Sequence, residues 1–476
     1  MLKEQTDVML KTSAIKRLLA SLALLCSGAA IAAPDATSET SLANQRALFL
    51  EAEQALSSSD SSRFEHLSQT LQTYPLYPYL RYAELRRDLS TNGRREIEDF
   101  LADYADTPLP NRLRAAWLST LAREQHWATF QAAYQPSGNV ALECYYRRAH
   151  LHQGHPISAF KEIEKLWLVG RSQPAACDPL FQAWQSAGGL TPELAWQRTT
   201  LAITGKQLRV ARYLRRFLSP ADKSWLDVWL AVQANPKTIE RYPQLRRDHP
   251  RAGQITGYAM ARLGLRDELA AAELWKQVES YPGLTPAQAG AAIRGIALGM
   301  ATSHRYEAQA WLGRVPPAQR DRTVREWRIR VALRQFDWPG VMAYIGALTP
   351  EEQSDLRWRY WRARALEALQ RQAEANTIYQ ALSGTRHYYG FLSADRLNSD
   401  YQMQNQAVTE DHVGITALAQ LPAVQRAKEL YELQRLTQAR REWHLATRAL
   451  EEADLQQAAR LAQQWGWLDQ AIRTLA

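Results

Sequence analysis

The chain has 476 residues, 46% of them hydrophobic and 22% charged, a balance that is ordinary for a globular protein. The composition includes 16 Trp and 20 Tyr beside many residues that favour helices, whereas regular runs of Val, Ile and Thr are nearly absent, which excludes a strand-rich fold. The formal net charge of +9 suggests an anionic partner, although arginines that only keep a helical surface soluble would give the same balance.

The first 33 residues predict export. Lys16 and Arg17 precede the apolar run 18–33, which closes with small residues in an A-x-A pattern before Pro34. Basic, then apolar, then small residues are typical of a secretory signal peptide, and the run is too short for a comfortable membrane span. We therefore predict no transmembrane segment in the mature chain. Export also argues against a nucleic-acid partner.

Removal of this segment leaves two cysteines, Cys144 and Cys177. Two cysteines in an exported protein are most simply paired in one structural disulfide, which would contribute ~3 kcal/mol.

After a polar lead-in over 34–44, which we expect to be disordered, short helical patterns follow one another with tight breaks. In the stretch 355–370, Trp358, Trp361, Ala365 and Leu369 recur at helical spacing and predict one buried stripe.

Two internal echoes indicate a repeat. The stretch "RAHLHQGHPISAFKEIEKLW" (148–167) matches "RALEALQRQAEANTIYQALS" (364–383) in its Ala and Leu positions, and "AREQHWATFQAAY" (122–134) matches "LRQFDWPGVMAYI" (333–345). Both echoes predict two helices joined by a short corner. Because one such hairpin cannot bury its stripe alone, the sequence predicts an all-α fold, an α-solenoid or superhelix of stacked helical hairpins, curved or ring-like. An irregular all-α globule is the alternative.

Common catalytic and cofactor motifs are absent from the sequence, and we predict no cofactor and no metal site. His150 and His152 point about 200° apart on a helix, so they do not share a metal. Glu279 and Ser280 stand beside a Pro-Gly corner, where an exposed helix-end Glu is the ordinary interpretation.

Three arginines form the candidate binding set. Arg357, Arg364 and Arg371 recur every seven residues, so they are predicted to line one helix face. Planar guanidinium groups suit carboxylates and ring stacking, so this face would hold an acidic polymer if it lines a concave wall. A solvated face is the alternative. The aromatic stretch "YPLYPYLRY" (74–82) is predicted to pack rather than to bind sugar.

Several stretches in order along the chain carry a family resemblance. They include "YPLYPYL" (74–80), "LWLVGRSQPAACDPLFQAW" (166–184), "RYWRARALEAL" (359–369), "HYYGFLSADRL" (387–397) and "RAKELYELQRLTQARREW" (426–443). Together they resemble the soluble lytic murein transglycosylases of Gram-negative periplasms, over essentially all of the mature chain.

The resemblance implies a periplasmic protein with a superhelical U domain over 34–400 and a helical linker (L) domain over 401–476. It implies that Cys144 and Cys177 match the family's disulfide pair, and that peptidoglycan is the partner. The family cleaves the β-1,4 bond between N-acetylmuramic acid and N-acetylglucosamine without adding water and leaves 1,6-anhydromuropeptides. Its lysozyme-like catalytic domain, with an "ES" acid followed by "GLMQ" and "AYNAG"-like segments, has no counterpart in this sequence.

We therefore expect a U and L portion without the catalytic domain, which has no catalytic residue and is inactive by itself. It would derive from a truncated or split reading frame, or be a genuine non-catalytic scaffold. A helical-repeat adaptor that binds a periplasmic cell-wall enzyme or another periplasmic protein is the alternative function.

Overall fold

The computed structural model describes residues 36–89, 93–403 and 407–475, with side chains from residue 41 onward. In these ranges every regular element is a helix and no strand occurs, so the predicted all-α class is confirmed. The predicted signal peptide lies outside the described residues. Helix α1 begins at Ala36, so the prediction of a disordered lead-in is wrong from that residue onward.

The α-helices within the described ranges are short and follow each other closely. In chain order they are α1 (Ala36–Ser57), α2 (Ser61–Thr70), α3 (Tyr77–Arg87), α4 (Arg94–Asp103), α5 (Leu109–Arg123), α6 (Trp127–Ala133), α7 (Val140–His152), α8 (Pro156–Phe160), α9 (Ile163–Trp167), α10 (Asp178–Ser186), α11 (Pro192–Thr204), α12 (Leu208–Leu214), α13 (Pro220–Ala234), α14 (Pro250–Arg266), α15 (Glu268–Val278), α16 (Pro286–Thr302), α17 (Ala308–Arg314), α18 (Arg322–Arg334), α19 (Trp338–Gly346), α20 (Pro350–Gln353), α21 (Leu356–Ala368), α22 (Gln372–Ser383), α23 (Tyr388–Leu397), α24 (His412–Ala419), α25 (Pro422–Glu432), α26 (Leu436–Thr447), α27 (Glu452–Gln464) and α28 (Leu468–Thr474). Short 3₁₀ segments punctuate the series at 175–177, 215–217, 236–241, 243–246 and 317–319. No helix in the described ranges is both long and apolar enough to cross a bilayer.

The chain divides into two compact units. The first joins Met1–Tyr134 with Val408–Ala476, and the second is Gln135–Ala407. The first unit therefore contains helices from both ends of the described chain. The predicted boundary between a U domain and an L domain at residues 400 and 401 stays a prediction.

Successive helices meet at one recurrent kind of corner in both units. A residue in the left-handed region follows the first helix, and the next residue donates its N–H to the carbonyl five positions back. At Gln125, where φ is 61°, His126 donates to Leu121 over 2.8 Å. At Phe336, where φ is 56°, Asp337 donates to Ala332 over 2.9 Å. The corner residues in the described ranges are Ser59, Gln125, Gly154, Gly188, Lys206, His304, Phe336, Gln370, Asn398, Gln434 and Gly466.

The Ala and Leu positions shared by the echo 148–167 and 364–383 lie at the contact between the two helices that such a corner joins. Ala149, Ala159, Ala365 and Ala375 are all fully buried, as is Leu382. A small residue on each helix lets the partner helix approach closely, and the larger side chain fills the groove beside it. The predicted hairpin repeat is therefore confirmed at these positions.

Large aromatic side chains fill the space between neighbouring hairpins. Eight tryptophans in the described ranges lose essentially all contact with solvent: Trp117, Trp167, Trp196, Trp229, Trp275, Trp358, Trp443 and Trp467. In the second unit the structure also joins Cys144, in α7, to Cys177 by a disulfide. This bond ties α7 to the 3₁₀ turn that precedes α10.

Glycines permit the closest helix contact of the second unit, between α14 and α16. A Cβ atom on Gly299 would overlap the carbonyl oxygen of Gly264, and a Cβ on Gly264 would overlap the backbone of Ile296. These helices touch backbone to backbone, so any side chain at either position must push them apart.

We expect Gly299→Ala to destabilise the second unit by about 1–3 kcal/mol, because the added methyl group overpacks the contact. Gly313→Ala is the matched control. Nothing lies within 4 Å of a Cβ built there in α17, so alanine should be neutral or raise stability by up to ~1 kcal/mol. Urea unfolding of both variants measures the difference, and equal stability would contradict the close contact.

Candidate functional site

The three predicted arginines do not share one helix. Arg357 and Arg364 lie in α21, but that helix ends at Ala368, and Arg371 is the residue before α22. A corner with Gln370 in the left-handed region separates them. The prediction that the three arginines line one helix face is therefore wrong: the corner that the hairpin echo over 364–383 predicts falls between Arg364 and Arg371.

Each of these arginines has a carboxylate partner within the chain. Arg357 lies 3.1 Å from Asp355 and 3.5 Å from Glu326, and its guanidinium is 4.4 Å from the centre of the Trp358 ring. Arg364 contacts Glu367 at 2.7 Å. The positive charge of both groups is offset locally, so a bound polymer would have to compete for them.

Arg371 makes the most complete of these pairs. Its guanidinium donates two hydrogen bonds to Glu374, at 2.6 and 2.7 Å. This contact lowers the pKa of the Glu374 carboxyl and raises that of Arg371. The partner stands only three residues further along the chain, a spacing at which helical side chains meet, so the sequence already contained this signal.

A basic patch that sequence reasoning missed lies on and around α12. It consists of Lys206, Arg209, Arg212 and Arg216, and it is called the α12 patch below. All four side chains are exposed, and no carboxylate in the described part of the chain forms an ion pair with them. The signal was present in "KQLRVARYLRR" (206–216), which contains five cations and no acid.

An exposed aromatic ring belongs to the same surface. Tyr213 is half exposed, and the guanidinium of Arg216 stacks over its ring at 4.1 Å from the centroid. Phe217 packs edge-on against Tyr213 at 5.8 Å. Because Arg216 and Tyr213 are already stacked in the free protein, their side chains would lose less conformational entropy when a ligand binds.

The aromatic stretch near the start of the chain packs, as the sequence favoured. Tyr74 and Tyr79 are buried, and their hydroxyls donate hydrogen bonds of 2.7 Å to Glu429 and 2.8 Å to Glu442. The partners are 355 and 363 residues away along the chain. These bonds join the two ends of the described chain within the first unit.

Ion pairs reinforce the same junction. Arg46 contacts Glu429 at 2.8 Å, and Arg426 contacts Glu442 at 2.9 Å with its side chain only 5% exposed and that of Glu442 fully buried. Arg426 also reaches Asp106 at 3.0 Å. Burial raises the pKa of Glu442, and the contacts with Arg426 and Tyr79 oppose that shift.

The other residues that the sequence singled out, Glu279, Ser280 and His150, do not form a catalytic or metal site in the described residues. Glu279 follows the last residue of α15 and pairs with Arg314 at 3.1 Å, both side chains being nearly half exposed. The Ser280 hydroxyl donates to the carbonyl of Gln277. Burial lowers the pKa of His150, and no cluster of three metal-ligating side chains occurs in the described residues.

Residues 417–476 match the family model of the L domain of soluble lytic murein transglycosylases. The solved structure of an inactive mutant of the lytic transglycosylase Slt from Pseudomonas aeruginosa is 33% identical, with a TM-score of 0.81 over 90% of this chain and 70% of that chain. The chain belongs to the soluble lytic murein transglycosylase family. The predicted resemblance is thereby confirmed.

Two further relatives of this family agree. The soluble lytic murein transglycosylase of Escherichia coli K12 is 26% identical over 461 residues, which are 96% of this chain and 70% of the relative. The structure of the 70-kDa enzyme from Escherichia coli gives a TM-score of 0.75 at 25% identity and covers 91% of this chain. A cucumovirus coat protein model also matches residues 154–239, where the described residues form helical hairpins of the second unit.

We expect Arg426→Met to destabilise the first unit by about 3–5 kcal/mol near neutral pH, because it leaves Glu442 buried without its cation. The raised pKa means that ionised Glu442 is less stable in the fold than in the unfolded chain. Stability is therefore lost as pH rises through that pKa, more steeply in the variant, and its deficit should shrink as the pH falls toward the ordinary carboxyl pKa.

Arg63→Met is the matched control, since Arg63 and its partner Glu51 are both about half exposed and their pair is worth at most ~1 kcal/mol. Urea unfolding at about pH 7.5 and about pH 5, followed on α25 and α26 by hydrogen exchange, makes the measurement. A deficit that is the same at both pH values would contradict the assignment to Glu442.

Proposed function

We propose that these 476 residues form the peptidoglycan-binding helical portion of a soluble lytic murein transglycosylase and act in the periplasm. Family membership supports the polymer as the ligand class, and the predicted signal peptide over 1–33 supports export. The Cys144–Cys177 disulfide is consistent with an oxidising compartment. The family reaction implied by the resemblance is the non-hydrolytic cleavage that yields 1,6-anhydromuropeptides.

The unpaired cations of the α12 patch are the observation that carries this proposal. Peptidoglycan presents carboxylates on its stem peptides and flat sugar faces along its glycan strands. Exposed guanidinium groups suit the first, and the stacked Tyr213–Arg216 pair suits the second. Binding through exposed charges should be weakened by salt.

Arg357, Arg364 and Arg371 are proposed as a weaker contribution to the same binding. Each is tied to an acid of its own chain, so contact with the polymer must replace an existing pair rather than fill a vacant one. The net gain for each arginine is therefore smaller than for a cation of the α12 patch.

Bond cleavage is proposed not to arise from these 476 residues by themselves. The "ES" dipeptide at Glu279 and Ser280 sits at the end of a helix, and Glu279 is held by an exposed ion pair with Arg314. A general acid for glycosidic cleavage works in a partly enclosed site beside the scissile bond, whereas the side chain of Glu279 is nearly half exposed.

The triple substitution Arg209→Gln, Arg212→Gln and Arg216→Gln should weaken retention of the chain on purified murein sacculi about tenfold, equivalent to ~1.4 kcal/mol. The matched triple substitution of Arg357, Arg364 and Arg371 by Gln should weaken it less. Co-sedimentation at several salt concentrations measures both. If neither triple variant differs from the parent chain, or if retention requires an added periplasmic protein, the direct-binding proposal is wrong.

Incubation of residues 34–476 with sacculi tests the second part of the proposal. We expect no anhydromuropeptides in the soluble fraction by chromatography and mass spectrometry, because Glu279 is exposed and paired with Arg314, and the buried Glu429 and Glu442 are held by ion pairs in the first unit. A soluble lytic transglycosylase that contains its catalytic domain is the positive control. Release of anhydromuropeptides above the level without protein would refute this part while leaving the binding result intact.

A further inference from the structure

A small cavity lies between two successive corners of the second unit. It measures about 180 Å³ and is lined by Ala301, His304, Arg305, Tyr306, Val331, Arg334 and Gln335. Ala301 and Val331 are buried and provide an apolar floor, whereas the other lining residues are exposed. The volume is below the range of pockets for drug-sized ligands, so it suits one small ring with its substituents.

The two corners that form this cavity are held together by their own hydrogen bond. The side-chain amide of Gln335 donates to the backbone carbonyl of Tyr306 over 3.2 Å. Arg305 is engaged by Glu268 at 2.7 Å. The position of the walls is thus set by contacts that do not involve a ligand.

Positive charge in the cavity remains available. Arg334 is exposed, and within the described residues it has no carboxylate partner. His304, on the opposite corner, is also exposed. A carboxylate that enters between them would meet the exposed guanidinium of Arg334, whereas the charge of Arg305 is offset by Glu268.

Two aromatic rings project into solvent at the same pair of corners. Tyr306 is 86% exposed and Phe336, which directly follows Gln335, is 72% exposed. Large apolar rings with so little cover lose the benefit of burial, and they occur here together at successive corners. The faces of such rings suit the C–H face of a pyranose.

Phe336 also occupies a strained backbone position. Its φ of 56° lies in the left-handed region, where glycine or asparagine is preferred and a bulky residue is unusual. At other corners of this kind the position is taken by glycine, as at Gly154 and Gly466, or by a polar residue such as Gln125 or Gln370. The ring of Phe336 packs edge-on against Trp338 at 6.1 Å between ring centroids and leaves most of its surface open to solvent. The exposed part of the ring is therefore accessible to a ligand.

We propose that this corner cavity is a subsite for one carboxylate-bearing N-acetylated sugar residue of the muramic acid type. The ring packs on Tyr306 and Phe336, and the carboxylate is bound by Arg334 with His304. The subsite rests on the proposed peptidoglycan binding and makes it specific at one place, separate in sequence from the α12 patch.

Saturation-transfer difference NMR on the intact chain tests the subsite with soluble N-acetylmuramic acid as the probe. N-acetylglucosamine, which lacks the carboxylate, is the comparison ligand. We expect transfer to the ring and N-acetyl protons of N-acetylmuramic acid, and a signal at least threefold weaker for N-acetylglucosamine. Tyr306→Ala and Arg334→Gln should each reduce the N-acetylmuramic acid signal about fivefold or more.

Phe336→Gly separates a binding role from a structural one. It removes the ring and relieves the left-handed strain, so the variant should be at least as stable as the parent chain and yet show the same fivefold loss of signal. Gln125→Gly, at the equivalent corner of the echo in the first unit, is the matched control and should leave the signal unchanged.

The outcomes distinguish this inference from the broader proposal. An unchanged N-acetylmuramic acid signal in Tyr306→Ala, Arg334→Gln and Phe336→Gly would overturn the subsite, even if sacculus retention stays intact. Equal signals for both sugars would overturn the role of the carboxylate. Loss of sacculus retention in the α12 variant with a normal sugar signal would leave the subsite standing.

Discussion

Two buried carboxylates constrain the first unit more than any other feature. Glu429 and Glu442 belong to helices near the end of the chain, and their side chains are 3% and 0% exposed. A buried charge is tolerated only when it is paired and hydrogen-bonded. Arg46, Tyr74 and Tyr79 supply such bonds from the beginning of the chain, and Arg426 supplies one locally. The C-terminal helices therefore require the N-terminal ones.

The second unit obeys a different constraint. Its hairpins are too narrow to bury their own apolar stripes, so each leans on its neighbour through small residues such as Ala365 and Ala375 or through glycine contacts such as Gly264 with Gly299. The corners between helices are left at the surface by this arrangement. Side chains at the corners can therefore remain exposed, as those of Tyr306 and Arg334 do.

The sequence predicted what depends on local periodicity. The helices, the hairpin echoes and the burial of Ala149 and Ala159 follow from spacings of three to ten residues, and each is present in the structure. The bonds of Tyr74 and Tyr79 span more than 350 residues and leave no local trace, so only their packing could be expected. The backbone strain at Phe336 is likewise invisible without coordinates.

The ion pairs of Arg364 and Arg371 could have been predicted from the sequence, although they were not. Glu367 and Glu374 stand three residues after Arg364 and Arg371, and counting acids beside bases would have marked both arginines as paired. The same count would have singled out 206–216 as a basic run without acids. Arg357 differs, because one of its partners, Glu326, lies on α18 and is brought near only by the hairpin stack.

Native-state hydrogen exchange on the intact chain tests the central claim that both chain ends form one cooperative unit around Glu429 and Glu442. The account predicts that the most protected amides of α3 and those of α25 and α26 open with the same free energy and respond together to denaturant. If α25 and α26 open at a clearly lower free energy while α3 stays protected, the buried carboxylates do not hold the first unit together.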